Sequence, residues 1–553
     1  MANALTGWDS SEDAELVVTP APKAHWALAA GPRVAVGALL VLSLALGGRA
    51  ETLYGLVKIG LYLAGAALVV ELLRRPNIVT LRLPRTEQWL LGLLGAFLLC
   101  GIFSVLPLPL RVIELLSSST AELYRNAGSS SGSIALLPAA TVATLGWAGA
   151  LGVLFFWLAA LPFRDSKTHA SSRHAHSRQK RARNGWFEAA RSTDATSEQV
   201  QVGIIWVGVL VGVVGLLHWA LRFDALFGIF AEGVISPSEV RAHWPFISAN
   251  HLADFLGVIA LLCAARIARL VQLRRLRRPK EETDNVALRL LRSPMEFGKV
   301  VPYALALLVL VLCALLTLSR AGVTLLFVGF AALWLVTLRY PLPEPIRAVA
   351  SRSNSRRTSG KRLRSNSGKV AFLKQCGILA FGLLALSFFL GGTGRHLAQQ
   401  RLEYGLASGI DENRFLLAET TLDVIRNYPL FGVGLGAWHS AAARYIPPEL
   451  AAWKLDYAHN EYLQFIAEMG LVGAFFIVSA LVAIASSSIS ALRLPLQPTE
   501  RIEIVGSGVA LLLPLLHSLV DFPFHLPATA LLSVLVLSLH LRQCERVRQR
   551  YAQ

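Results

Sequence analysis

Twelve apolar runs govern what this chain can become, at roughly 33–48, 53–73, 88–106, 139–161, 201–221, 248–268, 300–318, 321–338, 371–391, 461–485, 503–521 and 526–541. Each approaches the ~20 residues with which a helix crosses about 30 Å of hydrocarbon. The first and last are the shortest. Composition agrees: 54% of the 553 residues are hydrophobic and 16% charged, against about 25% charged in a soluble domain. A secreted disulfide scaffold, a disordered chain and an ordinary cytosolic enzyme are excluded. The expectation is an all-α polytopic membrane protein of about 12 transmembrane helices. The first 23 residues are polar and mildly acidic, without the positive n-region of a signal peptide. The first run is therefore expected to remain as an uncleaved span.

The formal net charge of +18 is concentrated. Segments 162–200, 269–299 and 339–374 hold 27 basic and 9 acidic residues, which accounts for the whole excess. They lie between apolar runs, so they read as cytoplasmic loops obeying the positive-inside rule, with anionic headgroups as neighbours. Nucleic-acid binding is not expected, because no basic surface is interleaved with aromatics. With both termini inside, Arg74, Arg75, Arg82, Arg85, Arg493, Arg501 and the basic tail from Arg542 to Arg550 also fall inside. The domain reading is a cytoplasmic tail at 1–32, nine spans within 33–391, an extracytoplasmic segment at 392–460, three spans within 461–541 and a cytoplasmic tail at 542–553. Cys100, Cys263, Cys313, Cys376 and Cys544 have no zinc-ligand spacing.

Segment 392–460 is the longest outer loop, with six basic and seven acidic residues. Its aromatic content and helix punctuation predict a folded cap. Asp411 or Asn413 is placed to cap a helix with Phe415, Ala418, Leu422 and Ile425 at helical spacing, and Pro429 follows its end. Asp423 and Arg426 share its polar side. Gly432-Val-Gly-Leu-Gly436 is a turn rather than a nucleotide loop, since the spacing is not GxGxxG and no strand precedes it.

Ionisable residues near membrane depth are costly, so each raises a functional hypothesis. Arg320, in Leu318-Ser-Arg-Ala-Gly322, sits in a tight outer turn where positive charge has no topogenic use; snorkelling to headgroups is the alternative. His459 stands where the cap meets the next span. Asn460 can cap that helix, and Glu461, Gln464 and Glu468 form one polar stripe that faces protein or water, not lipid. Arg414 lies beside Asp411 and Glu412. Asn250 and Asp254 share a face at the start of the sixth span. His517 and Asp521, at i and i+4, are placed to hydrogen-bond at the outer end of the eleventh. For these last two pairs, interhelical glue is as good a reading as catalysis.

The run from Asn413-Arg-Phe through Asp423-Val-Ile-Arg-Asn-Tyr-Pro-Leu-Phe-Gly-Val-Gly-Leu-Gly-Ala-Trp438, then Tyr457-Ala-His-Asn-Glu-Tyr-Leu-Gln464 and Glu468-Met-Gly-Leu-Val-Gly473, resembles the O-antigen ligase and Wzy-type polymerase superfamily. Ser319-Arg-Ala-Gly322 and Asn250-His-Leu-Ala are similar to its pattern too. The resemblance is closest over about 400–475. It implies a multi-span glycosyltransferase of the bacterial inner membrane with a large periplasmic loop and a periplasmic active site. The donor it implies is an oligosaccharide on undecaprenyl diphosphate; the acceptor is a glycan or a lipid, or in related enzymes a protein hydroxyl. No cofactor, metal, ATP or nucleotide sugar is expected, and membrane lipids and other polysaccharide export components are the expected partners.

The residues support that chemistry. Arginine matches phosphate with planar, bidentate donors, so Arg320 and Arg414 are the expected diphosphate clamp. His459 is the expected base for the acceptor hydroxyl, and displacement at the anomeric carbon inverts. Asn460, Glu461, Gln464, Glu468, Asn250, Asp254, Arg426 and Asp521 are the expected substrate contacts. Arg395, His396, Arg401, Trp438, His439, Arg444 and Trp453 are spare cap surface suited to a growing glycan, which favours polymerisation. Ligation to lipid A-core, protein glycosylation and a lipid-linked oligosaccharide flippase are the alternatives.

Overall fold

The computed structural model describes residues 26–45, 51–74, 83–161, 194–222, 241–277, 294–339, 410–450 and 455–552. Within them the chain is an all-α membrane protein. Helices α1 (Trp26–Leu44), α2 (Glu51–Arg74) and α3 (Arg85–Val105) come first. A small excursion follows: β1 (Leu108–Pro109), α4 (Leu110–Leu116), α5 (Ser118–Asn126) and β2 (Ser131–Gly132), with the two short strands antiparallel. Next come α6 (Pro138–Ala160), α7 (Ala195–Leu221), α8 (Ala249–Arg277), α9 (Pro294–Leu316) and α10 (Arg320–Arg339). The cap contributes α11 (Ile410–Asn427), α12 (Trp438–Ala442) and a 3₁₀ turn at Pro448–Leu450. Helices α13 (Glu461–Leu492), α14 (Pro498–His517) and α15 (Pro527–Ala552) complete the bundle, with a 3₁₀ turn at Pro523–His525 between the last two.

Eleven of the twelve expected runs coincide with these helices, and the run at 371–391 lies outside the described residues. Seven of the described helices are long and apolar enough to cross a membrane by length and composition. Helices α8 and α15 are buried on most sides, whereas α3 and α13 bury little of their apolar surface. Leu471, Phe475, Val478 and Val482 of α13 are among the exposed large side chains, as expected of a face turned to lipid.

The run expected at 461–485 is divided. Gly470 has φ 62° and ψ −154°, which breaks α13 into two segments. Residues 461–469 pack against the cap, and 471–492 make a span of about 33 Å. A Cβ at Gly470 would lie 2.3 Å from Leu430 O, so both the dihedral and the close approach require glycine. The run expected at 503–521 is displaced, its helix beginning at Pro498. Helix α14 ends at His517 with Ser518 as its C-cap, and Asp521 falls in the loop beyond.

The cap differs from the expected single loop. Leu136 N donates to Val433 O at 2.8 Å, and Ser119 Oγ donates to Asn427 O at 2.8 Å. Segment 106–137 thus joins 410–450 in one layer at one end of the bundle. Helix α11 starts at Ile410, so Asp411 and Asn413 lie in its first turn rather than capping it. Its buried face is Leu417, Thr420, Thr421 and Val424, with Tyr428 buried just beyond its end, while Phe415 and Leu422 are exposed. Trp438, expected on the surface, is fully buried and donates its indole N–H to Thr421 Oγ1 at 3.1 Å. Arg395, His396, Arg401 and Trp453 lie outside the described residues.

The opposite end of the bundle is tied by buried ion pairs. Arg542 donates to Asp194 Oδ2 at 2.9 and 2.7 Å and to the carbonyls of Leu158 and Leu161 at 2.9 and 2.8 Å. The last two contacts satisfy groups left open at the end of α6. Arg266 pairs with Glu198 and Arg269 with Glu503. The helix ends here flank the basic segments at 162–200 and 269–299.

Candidate active site

At the end away from the basic segments, six helix ends meet. They are the starts of α8, α10, α13 and α15 and the ends of α9 and α14, and they gather most of the expected site residues.

Asp521 is the hub. It is 2% exposed, held in the short loop that α14 enters. Its Oδ2 accepts from Asn250 Nδ2 at 3.0 Å, and its Oδ1 accepts from the Phe522 backbone N–H at 3.0 Å. His251 Nε2 stands 3.3 Å from Oδ1 and His459 Nδ1 3.6 Å from it. The second distance is that of an ion pair, beyond a hydrogen bond. Burial opposes charge on this carboxyl, yet the surrounding imidazoles of His251, His459 and His517 hold it well below the usual carboxylate range. Asn250 is fixed in turn by Arg241, whose Nη2 donates to Asn250 Oδ1 at 2.9 Å and whose Nε donates to Thr317 O at 2.7 Å.

The backbone of His459 is left-handed, with φ 53°, unusual for a residue with a side chain. It immediately precedes Asn460, which caps α13 by accepting from Leu463 N at 3.0 Å and donates from Nδ2 to Leu519 O at 3.0 Å. The His459 ring meets Phe522 edge-on at 4.9 Å. With Nδ1 toward Asp521, its Nε2 is on the opposite ring edge, and 36% of the side chain is exposed.

Asp254 and His517 form a second pair, at 3.2 Å between Oδ1 and Nδ1. This corrects the expected His517–Asp521 bond. Because α14 ends at His517, the i, i+4 spacing no longer puts Asp521 on the same helical face. Arg414, on the first turns of α11, lies within electrostatic reach of His517. Arg320 opens α10 and is exposed at its start. Two residues on, a Cβ at Gly322 would lie 2.7 Å from the Ala253 Cβ, so the start of α10 lies against α8 beside Asp254. Both arginines thus belong to the end of the bundle that holds Asp521.

The polar stripe of α13 faces protein, as its spacing requires, but its groups are engaged internally. Glu461 Oε2 pairs with His525 Nδ1 at 2.7 Å. Gln464 Oε1 accepts from Ala458 N at 2.9 Å, and its amide nitrogen lies 3.1 Å from His525 Nε2 and 3.3 Å from Glu468 Oε1. Glu468 accepts from Gly436 N at 2.9 Å and Trp438 N at 3.4 Å. The Gly432–Gly436 turn, with positive φ at all three glycines, is therefore fastened to α13 through Glu468. Through these bonds Glu461, Gln464 and Glu468 tie the start of α13 to the cap, to the His459 loop and to the turn at Pro523–His525. Arg426 is not part of the cluster. It is exposed, pairs with Asp423 at 2.7 Å, and lies about 18 Å along α11 from Arg414.

Arg241, His251 and His525 shape the site without standing out in the sequence. His251 lies within Asn250-His-Leu-Ala, but only the turn of α8 aims it at Asp521.

The described residues thus form a polytopic helical bundle with a polar centre of histidines, carboxylates and arginines gathered at one end. Residues 305–478 match the family model for O-Antigen ligase. That match supports an O-antigen ligase-family domain over this part of the chain. The match includes Arg320, Arg414 and His459; Asn250, Asp254, His517 and Asp521 lie outside it. No curated protein matches the chain.

Proposed function

We propose that this chain joins glycan repeats carried on undecaprenyl diphosphate at the periplasmic face of the inner membrane, as a polymerase of cell-surface polysaccharide. The observation that carries the reading is the pairing of a buried carboxylate, Asp521, with a partly exposed imidazole, His459, at the bundle end that also holds Arg320 and Arg414.

In this reaction an acceptor hydroxyl attacks the anomeric carbon of the donor. His459 Nε2 takes the hydroxyl proton as the new C–O bond forms. Asp521 holds the ring by Nδ1 and stabilises the imidazolium, the part a carboxylate plays behind a catalytic histidine. The bond from the anomeric carbon to the phosphate oxygen breaks, and undecaprenyl diphosphate leaves with the electron pair. Arg320 and Arg414 offset that charge with planar donors. Attack opposite the leaving group inverts the anomeric centre. The chain's own groups account for each proton and charge, so the scheme uses no metal.

Orientation rests on the basic segments at the far end of the bundle, which set both termini inside and the site outside. Polymerisation is favoured because the outer layer, built from 106–137 and 410–450, extends well beyond the reacting centre and offers surface for a second glycan chain. Ligation of glycan to lipid A-core is the second reading, favoured by the match of residues 305–478 to the O-Antigen ligase family.

The test uses purified protein in nanodiscs with a defined undecaprenyl-diphosphate oligosaccharide. Longer lipid-linked chains without added acceptor support polymerisation. Product formed only when lipid A-core is supplied establishes ligation, and no product with either overturns the reaction.

A further inference from the structure

A cavity of about 160 Å³ opens in the outer layer between α5 and the C-terminal end of α11. Glu122 and Asn126 line it from α5, with Asn427, Tyr428, Arg444 and Tyr445 from the cap. None of the proposed catalytic residues lines it. The two walls are joined by the Ser119 Oγ to Asn427 O hydrogen bond at 2.8 Å, so the cavity is a built junction between two segments far apart in sequence.

Its chemistry is specific. The side chains of Glu122, Asn126, Arg444 and Tyr445 make no hydrogen bond among the described residues, although each carries donors or acceptors. They are exposed or half-buried, whereas Tyr428 is 4% exposed and fixes one wall. One guanidinium and one carboxylate balance, which disfavours a phosphate or diphosphate. Leu123 is the sole aliphatic side chain in the lining, which disfavours a lipid tail. What remains is a ligand with many hydroxyls and little net charge. The volume holds about five waters at ~30 Å³ each, the scale of one sugar ring and well under the roughly 300–1,000 Å³ of a drug-sized pocket.

We infer that this cavity is a glycan subsite, remote from the reacting centre, that grips one sugar of the polysaccharide chain while the transfer reaction runs. It rests on the glycan-transfer reading above. Asn427 is thirteen residues along α11 from Arg414, about 20 Å at the helical rise. A ring held in the cavity is therefore several sugars away from the anomeric carbon being attacked, and only a multi-repeat chain reaches both places. The subsite makes the enzyme prefer long glycans over short ones.

The experiment uses the full chain in nanodiscs and measures binding of lipid-free oligosaccharides of one repeat and of many repeats, released from the host's own polysaccharide. Wild type is expected to bind the long form more tightly. Arg444→Ala and Asn126→Ala, both at exposed positions on different segments, are each expected to weaken the long form about tenfold, the loss of one hydrogen bond involving a charged or amide group. Wild-type affinity for the long form in both variants overturns the subsite. Arg444-dependent binding of inorganic diphosphate in place of the oligosaccharide also overturns it, as an anion site. A wild-type protein that binds the long glycan but transfers none sinks the proposed reaction and leaves the subsite standing. Transfer by wild type together with unaltered binding in both variants does the reverse.

Discussion

Asp521 Oδ1 stands 3.6 Å from Nδ1 of His459, a contact made between the loop after α14 and the residue just before the cap of α13. It joins a carboxylate with 2% exposure to an imidazole whose other edge is open. Asp521→Asn keeps one oxygen acceptor but removes the charge that steadies an imidazolium. Transfer is expected to fall by about 10²–10⁴, the usual worth of positioned acid–base groups, with normal amounts of protein in the membrane. Turnover of a lipid-linked oligosaccharide by the purified variant measures this. Activity within a few-fold of wild type would remove Asp521 from the chemistry.

His459→Ala is expected to abolish transfer while the protein remains in the membrane, because no other exposed imidazole faces Asp521 among the described residues. Full product yield from this variant would leave His459 as the lead-in to α13 and nothing more.

Arg320 and Arg414 are expected to respond differently to loss of charge and loss of shape. Arg320→Lys and Arg414→Lys keep the charge but lose the planar fork. A diphosphate clamp predicts a marked fall in kcat/KM for lysine and a deeper one for alanine. Equal activity of all four variants would show that neither residue touches the donor.

Gly470→Ala tests the break in α13. The residue has φ 62°, and a Cβ would lie 2.3 Å from Leu430 O. A cost of at least ~1–3 kcal/mol follows from the backbone conformation alone, read as a lower Tm in detergent. An unchanged Tm would mean that the helix continues straight through this point.

Ser440, on α12, is exposed. A cysteine placed there in a cysteine-free background is expected to react with an impermeant reagent without opening the inner membrane. Reaction only after the membrane is opened would invert the topology.

Much of this protein was legible in the sequence because its strongest signals are one-dimensional. A span is a length of apolar residues, and eleven of twelve expected runs fall on described helices. The basic loops supply the orientation proposal from charge alone. Arg320, Arg414 and His459 stood out because a charged or polar group near hydrocarbon has few structural excuses. The stripe Glu461, Gln464 and Glu468 was also visible as a period, and its side facing protein followed from the cost of turning it to lipid.

What each polar group does was decided only by the tertiary structure. Spacing put His517 with Asp521, but α14 stops at His517, so His517 turns to Asp254 and Asp521 to His459, His251 and Asn250. The stripe of α13 shows as a period in the sequence, but only packing brings to it Gly436 N and Trp438 N of the cap and His525 of the turn before α15. Apolar spacing marked Phe415 and Leu422 as the inner face of α11, while contact with α13 and the cap selects Leu417, Thr421 and Val424 instead. Sequence determines which groups must avoid lipid, since that cost belongs to each residue singly. Which partner satisfies each group is a property of pairs far apart in the chain, and it exists only once helix ends and close packing bring those pairs within a few ångströms.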